Sequence, residues 1–194
     1  MDIDNLHPSF QHRSYLFRRK VFKLFGGAFH IYDSRGNVVF YSKQKAFKIR
    51  EDVRIFSDES CTQEILSIST PHILDFGAQY HVSDQTLHQS VGSIRRKGLK
   101  SILKDEWTFM DREGMVLGTL KETSSFGAIA SRLLNLIPQN YEVHAEGQLA
   151  AVIKQHFNPF ILRYSMAMQP GYPLDPRLLI AAGVLLCAIE GRQD

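Results

Sequence analysis

The feature that most constrains this chain is an apolar run near the C-terminal end of the sequence. From Leu178 to Ile189, twelve successive residues carry no polar side chain. Asp175 stands where a helix N-cap is expected, Pro176 at the first helical position, and Gly191 just past the run. An α-helix that is apolar all round must be enclosed on every side, either by protein or by lipid.

The length of the run favours enclosure by protein. Twelve residues that rise ~1.5 Å each span about 18 Å. The apolar core of a bilayer is about 30 Å thick, and ~20 apolar residues are needed to cross it. The run therefore predicts a buried core helix rather than a transmembrane helix. A large β barrel can provide the enclosure, because more than ~8 strands leave room inside for a helix about 10 Å across.

The rest of the chain is rich in short β-type runs that are separated by turns. Asp and Asn bond their own turn backbone and Gly accepts positive φ, so such turns predict hairpins. Three hairpins are predicted, with their turns at Asp33–Asn37, Ser57–Ser60 and Asp111–Gly114. Further strands are predicted at Tyr15–Arg18, Phe76–Val82, Thr86–Arg96, Tyr141–Ala145, Gln148–Gln155 and Phe160–Tyr164. About a dozen strands with short connections predict a mainly β fold, a closed antiparallel barrel around the buried C-terminal helix.

A second segment has helical periodicity. Apolar residues recur at the spacing of one helix face, which predicts an amphipathic helix packed on the outside of the sheet. They are Phe126, Ile129, Ala130, Leu133, Leu134 and Ile137.

Length and composition fit one folded domain. The chain has 194 residues, of which 44% are hydrophobic and 22% charged, enough to bury a sizeable core. We assign residues 14–194 to a single β-barrel domain and residues 1–13 to an N-terminal arm. The two cysteines, Cys61 and Cys187, lie far apart and favour free thiols in a reducing cytoplasm. We therefore expect a cytoplasmic protein without a transmembrane span, in peripheral contact with a membrane at most.

Several stretches together resemble a known family. They are Phe29–Phe40 (FHIYDSRGNVVF), Ala46–Phe56 (AFKIREDVRIF), Val91–Lys97 (VGSIRRK), Trp107–Gly118 (WTFMDREGMVLG) and Pro173–Ile189 (PLDPRLLIAAGVLLCAI). In this order, the chain resembles the LURP-one-related proteins and their relatives the phospholipid scramblases, in the Tubby C-terminal-like superfamily. The resemblance implies a twelve-stranded barrel around the last helix.

The resemblance also implies a relation to lipids. Tubby-type domains bind phosphoinositides through exposed basic residues, and scramblases move lipids between leaflets in response to calcium. Between Asn158 and Pro176 the only carboxylate is Asp175. One carboxylate cannot provide the six to eight oxygen ligands that calcium prefers, so calcium-driven scrambling is not expected here.

Basic residues are the best candidates for a binding site. We predict an anionic-headgroup site from two clusters, Arg95, Arg96, Lys97 and Lys100 in one and Arg18, Arg19 and Lys20 in the other. Lys and Arg donate to phosphate oxygens, and each one near an anionic membrane is worth about 1 kcal/mol. The alternative is a solvated face, since neighbouring charges on a strand point apart. The net charge is only +3, and the sequence lacks the dense basic stripe that is typical of nucleic-acid-binding proteins. No specific nucleic acid is therefore expected.

No motif predicts an enzyme. The histidines are scattered without metal-ligand spacing, and no nucleophile elbow or phosphate-binding loop occurs. We expect no catalytic residue, no cofactor and no metal. The leading hypothesis is a non-enzymatic module that binds anionic phospholipid headgroups or another phosphorylated ligand at a membrane surface. The alternatives are a protein-interaction or scaffold domain without a lipid role, and a phospholipid scramblase. The oligomeric state is left open.

Overall fold

The computed structural model describes residues 5–20, 27–44, 52–70, 78–96, 106–123, 138–158 and 161–190. These contain a short 3-10 turn at Pro8–Phe10, twelve strands and one α-helix. The strands are β1 (Ser14–Lys20), β2 (Gly27–Tyr32), β3 (Val38–Gln44), β4 (Asp52–Phe56), β5 (Glu64–Ser69), β6 (Gln79–Asp84), β7 (Gln89–Arg96), β8 (Glu106–Met110), β9 (Val116–Glu122), β10 (Asn140–Ala145), β11 (Gln148–His156) and β12 (Ile161–Met168). The helix α1 spans Pro176–Glu190.

The twelve strands form a closed antiparallel barrel, which confirms the predicted fold. Each strand pairs with its neighbours in sequence, and β1 pairs with β12 to close the barrel. One end of the barrel, here called the hairpin end, carries the tight turns that begin after β2, β4, β6, β8 and β10. At the other end, the linker end, β1 and β11 finish while β2 and β12 begin. The predicted helix over residues 126–137 lies outside the described residues.

The predicted hairpins form, and their turn residues act as expected. The Asp33 carboxylate accepts from the backbone N–H of Arg35 at 2.9 Å and of Asn37 at 2.8 Å. Asp111 accepts from the N–H of Met115 at 2.7 Å. Gly36 has a φ of 84°, which a residue with a Cβ adopts only under strain. Local turn chemistry thus sets these connections.

The prediction of one strand over Thr86–Arg96 is wrong, because the strand begins at Gln89. Asp84 at the end of β6 accepts from the N–H and the hydroxyl of Thr86 and from the N–H of Leu87. This arrangement turns the chain at residues 85–88, where the sequence has no Gly to indicate a turn.

Helix α1 fills the barrel, as the apolar run predicted. The hydrophobic side chains of the helix from Leu178 to Ala188 are at most 2% exposed. Phe17 of β1 packs against the helix at Gly183, where an added Cβ would lie 2.4 Å from the ring carbon Cζ. A glycine here lets the helix approach β1 closely. Among the described residues, no helix has both the length and the hydropathy required to cross a bilayer.

Ionic contacts hold the N-terminus of α1 in place. Asp175 caps the helix by accepting from the N–H of Arg177 at 2.9 Å. The buried guanidinium of Arg177 donates to Asp175 at 2.7 Å and to the fully buried Asp84 at 2.8 Å. Burial alone would raise the pKa of Asp84, but hydrogen bonds from Thr86 and Arg177 outweigh it and lower that pKa. The network links α1 to the end of β6.

The segment before β1 lies against the hairpin end of the barrel. Leu6 and Phe10 are buried, at 5% and 1% exposure. The rings of Phe10 and Phe40 have centroids 4.9 Å apart. The hydroxyl of Tyr15 donates to the carbonyl of Ser9 at 2.8 Å. This part of the predicted arm therefore packs on the domain.

Candidate functional site

An outer groove of about 940 Å³ follows β1, β11 and β12 on the solvent side of the barrel. Strand alternation explains which side chains line it. On β1, Tyr15 and Phe17 are buried, and Leu16 and Arg18 alternate with them on the side that faces the groove. The groove contains three cationic side chains, Arg18, Lys154 and Arg163.

Two of these cations face each other across the seam that closes the barrel. Arg18 of β1 is directly opposite Arg163 of β12 in the strand register. Side chains directly opposite have Cβ atoms about 4.5–5.5 Å apart, and like charges there are destabilising. The Nε atoms of both arginines are buried and have no hydrogen-bond partner. Among the described residues, neither Nε therefore has an acceptor, and neither arginine takes part in an ion pair.

Lys154 of β11 completes the cationic site. It lies opposite Ser165, two residues from Arg163 on β12, so Lys154 and Arg163 are diagonal neighbours about 7–8 Å apart. The ion pairs found among the described residues all involve other side chains. Asp33, the carboxylate in the groove lining, is occupied by its own turn, and hydrogen bonds from Asn37 and Arg35 lower its pKa. The groove thus combines three cations with a carboxylate that is already satisfied.

The other members of the β1 cluster do not share this surface. Arg19 points into the barrel, where its guanidinium donates to the carbonyl of Cys187 at 2.8 Å and to that of Ala188 at 3.5 Å. It also lies over the ring of Phe29, 5.2 Å from the centroid. A cation at the C-terminal end of a helix stabilises the helix dipole. For Lys20, the structure describes the strand position and not the side chain.

The second predicted cluster lies on the opposite side of the barrel. It belongs to β7, which is six strands away from β1 in the closed order. Arg95 is exposed, and it donates to the side chain of Gln79 at 2.7 Å. Arg96 lies over the ring of Trp107, with its guanidinium carbon 5.5 Å from the centroid. Lys97 and Lys100 lie outside the described residues.

Two residues of the groove, Lys154 and Arg163, were missed by the prediction from sequence. Each is an isolated cation in its own stretch, so a search for clusters along the chain passes over both. The signal that could have identified them is parity. Once the barrel is closed by pairing β1 with β12, outward positions on adjacent strands meet, whatever their separation in sequence.

The described residues show no metal site, and one of the two cysteines is fully buried. Within them, no group of three or more His, Cys, Asp or Glu side chains is placed to hold a metal ion. Both cysteines are free thiols, and complete burial strongly raises the pKa of the Cys187 thiol. A thiol of raised pKa is a poor nucleophile at neutral pH. The three cations of the groove are suited to binding an anion.

Comparison with known proteins agrees with this fold. The family model described as LURP-one-related matches residues 13–187, which is most of the chain. A search of the curated proteins gave no match.

Proposed function

The chain belongs to the LURP-one-related family, part of the Tubby C-terminal-like superfamily, and we propose that it binds anionic phospholipid headgroups at a membrane surface. The binding site is the outer groove, and the cations that hold the headgroup are Arg18, Arg163 and Lys154. The observation that carries this proposal is that Arg18 and Arg163 lie directly opposite each other in the groove lining, and neither takes part in an ion pair among the described residues.

A phosphate group would bring both hydrogen-bond acceptors and negative charge to the cations of the groove. A guanidinium presents a planar fork of N–H donors that binds phosphate oxygens in a bidentate manner. One phosphate between Arg18 and Arg163 would accept from both forks and neutralise the repulsion between them. Lys154, on the neighbouring strand, would add a third cation within reach of the same ligand. Neither the family nor this barrel is typically enzymatic, which fits a binding module.

The scramblase alternative has less support. Moving lipid by inserting α1 into the membrane would require the helix to leave the barrel. The enclosed helix would then lose its packing and leave buried cations and carboxylates, including Arg19, Arg177 and Asp84, without their partners. Leaving one charge of a buried pair without its partner costs about 3–5 kcal/mol. A scaffold role without lipid is an outcome that the following experiment distinguishes.

Vesicle co-sedimentation tests the proposal. The full chain is pelleted with phosphatidylcholine vesicles, with and without added phosphatidic acid. We expect binding only with the anionic lipid and weaker binding at high salt, because the contacts are electrostatic. Arg18→Gln and Arg163→Gln should each weaken binding about fivefold, which corresponds to about 1 kcal/mol per lost cation.

Arg95→Gln is the matched control. It removes the same charge from an exposed strand position on the opposite side of the barrel. The control protein should pellet like the wild type. Equal loss in all three variants would show that net charge, and not the groove, determines binding. Negligible pelleting of the wild type with both kinds of vesicle would refute the lipid role and favour the scaffold alternative.

A further inference from the structure

We infer that the outer groove holds a whole phosphate lipid with a single acyl chain, its phosphate at the three cations and its chain directed toward the hairpin end. This inference rests on the proposed function, because it places the remainder of the ligand whose headgroup binds at Arg18, Arg163 and Lys154. It goes beyond that function by making the acyl chain, and not only the headgroup, part of what the protein recognises.

The first observation is that the outward side chains of the groove change in character along the strands. Leu16 is two positions from Arg18 on β1, and Val152 is two positions from Lys154 on β11. Both steps lead toward the hairpin end, and all four side chains line the groove. Alternate residues of a strand share a face, and two residues advance about 7 Å. Apolar side chains therefore continue the surface on which the cations lie.

The strand register brings further apolar side chains beside these two. Leu16 lies directly opposite Tyr32 of β2, and Val152 lies directly opposite Ala167 of β12. Ala167 is also two positions from Ser165, the partner of Leu16, so Leu16 and Ala167 are diagonal neighbours about 7–8 Å apart. In the groove lining, Ala167 is exposed and the other three are partly exposed. These side chains, here called the apolar strip, are Tyr32, Leu16, Ala167 and Val152.

The charges of the groove determine which way round an amphiphile lies. The cations Arg18 and Arg163 lie on the linker side of the apolar strip, whereas the Asp33 carboxylate belongs to the turn that follows β2 at the hairpin end. Hydrogen bonds within this turn lower the pKa of Asp33, so it is negatively charged at neutral pH. A phosphate is attracted to the arginines and repelled by Asp33. An anionic lipid therefore enters with its head at the cations and its chain on the strip.

The dimensions of the groove fit one short chain. From Arg18 to Ser14, the first residue of β1, the lining extends over four residues, or about 13 Å. An extended hydrocarbon advances about 1.25 Å per carbon, given a C–C bond of about 1.5 Å, so the groove accommodates about ten chain atoms. Ligand sites commonly combine an apolar wall with a few polar groups that fix orientation. One apolar strip covers one chain, and for this reason we assign a ligand with a single acyl chain.

Isothermal titration calorimetry with a series of chain lengths tests the inference. The probes are glycerol 3-phosphate and its hexanoyl and octanoyl monoesters, which are lysophosphatidic acids short enough to stay monomeric. Full burial of a CH₂ group strengthens binding about fourfold, and a one-sided groove should give about half of that free energy, or about twofold per CH₂. The octanoyl ester should therefore bind about fourfold more tightly than the hexanoyl ester. High salt should weaken both without changing this ratio, because the chain is uncharged.

A double variant, Leu16→Thr with Val152→Thr, removes apolar contact from the strip without changing a charge. It should reduce the octanoyl-to-hexanoyl ratio from about fourfold to less than about twofold. Its affinity for glycerol 3-phosphate should equal that of the wild type. Val116→Thr is the matched control, since Val116 is 65% exposed on β9 and outside the groove lining, and this variant should keep the wild-type ratio. Urea midpoints verify that the variants fold.

The outcomes separate the failure of this inference from the failure of the proposed function. If glycerol 3-phosphate binds and Arg18→Gln weakens it, but the two esters bind equally, the headgroup site stands and the chain site is refuted. A fourfold ratio that persists in the double variant also refutes the chain site, because the chain would then lie elsewhere. Binding to phosphatidic acid vesicles without binding to the soluble esters has the same meaning. If the wild type binds neither vesicles nor esters, both proposals fail.

Discussion

Replacing Arg177 by Met tests whether the lumen of the barrel is a dry, low-dielectric environment. The variant keeps most of the side-chain volume but removes the guanidinium that donates to Asp84 at 2.8 Å and to Asp175 at 2.7 Å. The side chain of Asp84 is 0% exposed, so its carboxylate would be left without its cation in the interior. Removal of one partner of a buried ion pair costs about 3–5 kcal/mol. For a chain of 194 residues, this lowers the melting temperature by roughly 6–20 °C.

The pH dependence of stability provides a second test of the same variant, because the direction of the change can be predicted. In the wild type the pKa of Asp84 lies below its ordinary value of 3.8, so its contribution to stability is present above that pH and disappears as acid protonates the folded state. Burial raises this pKa, and the hydrogen bond from Arg177 is one of the main interactions that lower it. Removal of Arg177 should therefore raise the pKa of Asp84. The folded variant should then hold a proton more readily than the unfolded chain. Its stability deficit relative to the wild type should therefore shrink as the pH falls from 7 toward 4.

Urea unfolding at several pH values measures both effects. Arg54→Met is the matched control, since Arg54 also contacts two carboxylates, Asp52 and Glu64, but its side chain is 53% exposed. Exposed pairs contribute about 0–1 kcal/mol, so the control should lose little stability. If Arg177→Met costs no more than Arg54→Met, or if its deficit is the same at pH 4 and pH 7, the reasoning from a desolvated ion pair is refuted.

Three further predictions concern the packing of the barrel. Gly183→Ala should lower the unfolding free energy by about 1–3 kcal/mol in urea, because its Cβ would meet the ring of Phe17, and adding Phe17→Leu should recover part of that loss. Arg19→Met should cost about 1–2 kcal/mol in the same assay, since the carbonyls at the end of α1 lose their cationic donor; an unchanged midpoint would contradict this role. A maleimide reagent should label Cys61 in the native protein and Cys187 only after unfolding, as followed by mass spectrometry, because burial raises the pKa of the Cys187 thiol and hides it; native labelling of both would show an open barrel.

The architecture could be predicted from the sequence because its two determinants are local. An apolar run that is too short for a bilayer must be buried, and alternating strands with Asp and Gly turns make hairpins. Both conclusions hold in the structure, from the enclosed α1 to the turn at Asp33. The turn after Asp84 was missed because it depends on one carboxylate that accepts from Thr86 and Leu87, without a Gly or Pro signal. A side chain that both makes a turn and pairs with Arg177 cannot be recognised from its neighbours alone.

The groove could be predicted only in part, because charge clusters in sequence are not clusters in space. Arg18 and Arg19 are adjacent, yet strand alternation places one in the groove and the other inside the barrel. Arg18 and Arg163 are far apart in the chain, yet the closing strand pair places them opposite each other. The parity of each strand was readable from the sequence. The register of β1 on the last strand was not, and this register is what places Arg163 opposite Arg18.

The order of the elements along the chain has a consequence for synthesis in the cell. Since α1 follows the twelve strands in sequence, the ribosome releases the strands before the helix that fills the barrel. Until the helix emerges, the apolar inner faces of the strands are not covered. The first strand also cannot pair on its closing edge until the twelfth strand has been made. Such late, long-range closure is slow, and it leaves intermediates with exposed apolar surface. Such intermediates tend to aggregate, and chaperones commonly bind them. A nascent chain halted before Pro176 should therefore aggregate or be held by a chaperone, whereas release of the whole chain should allow the barrel to shut.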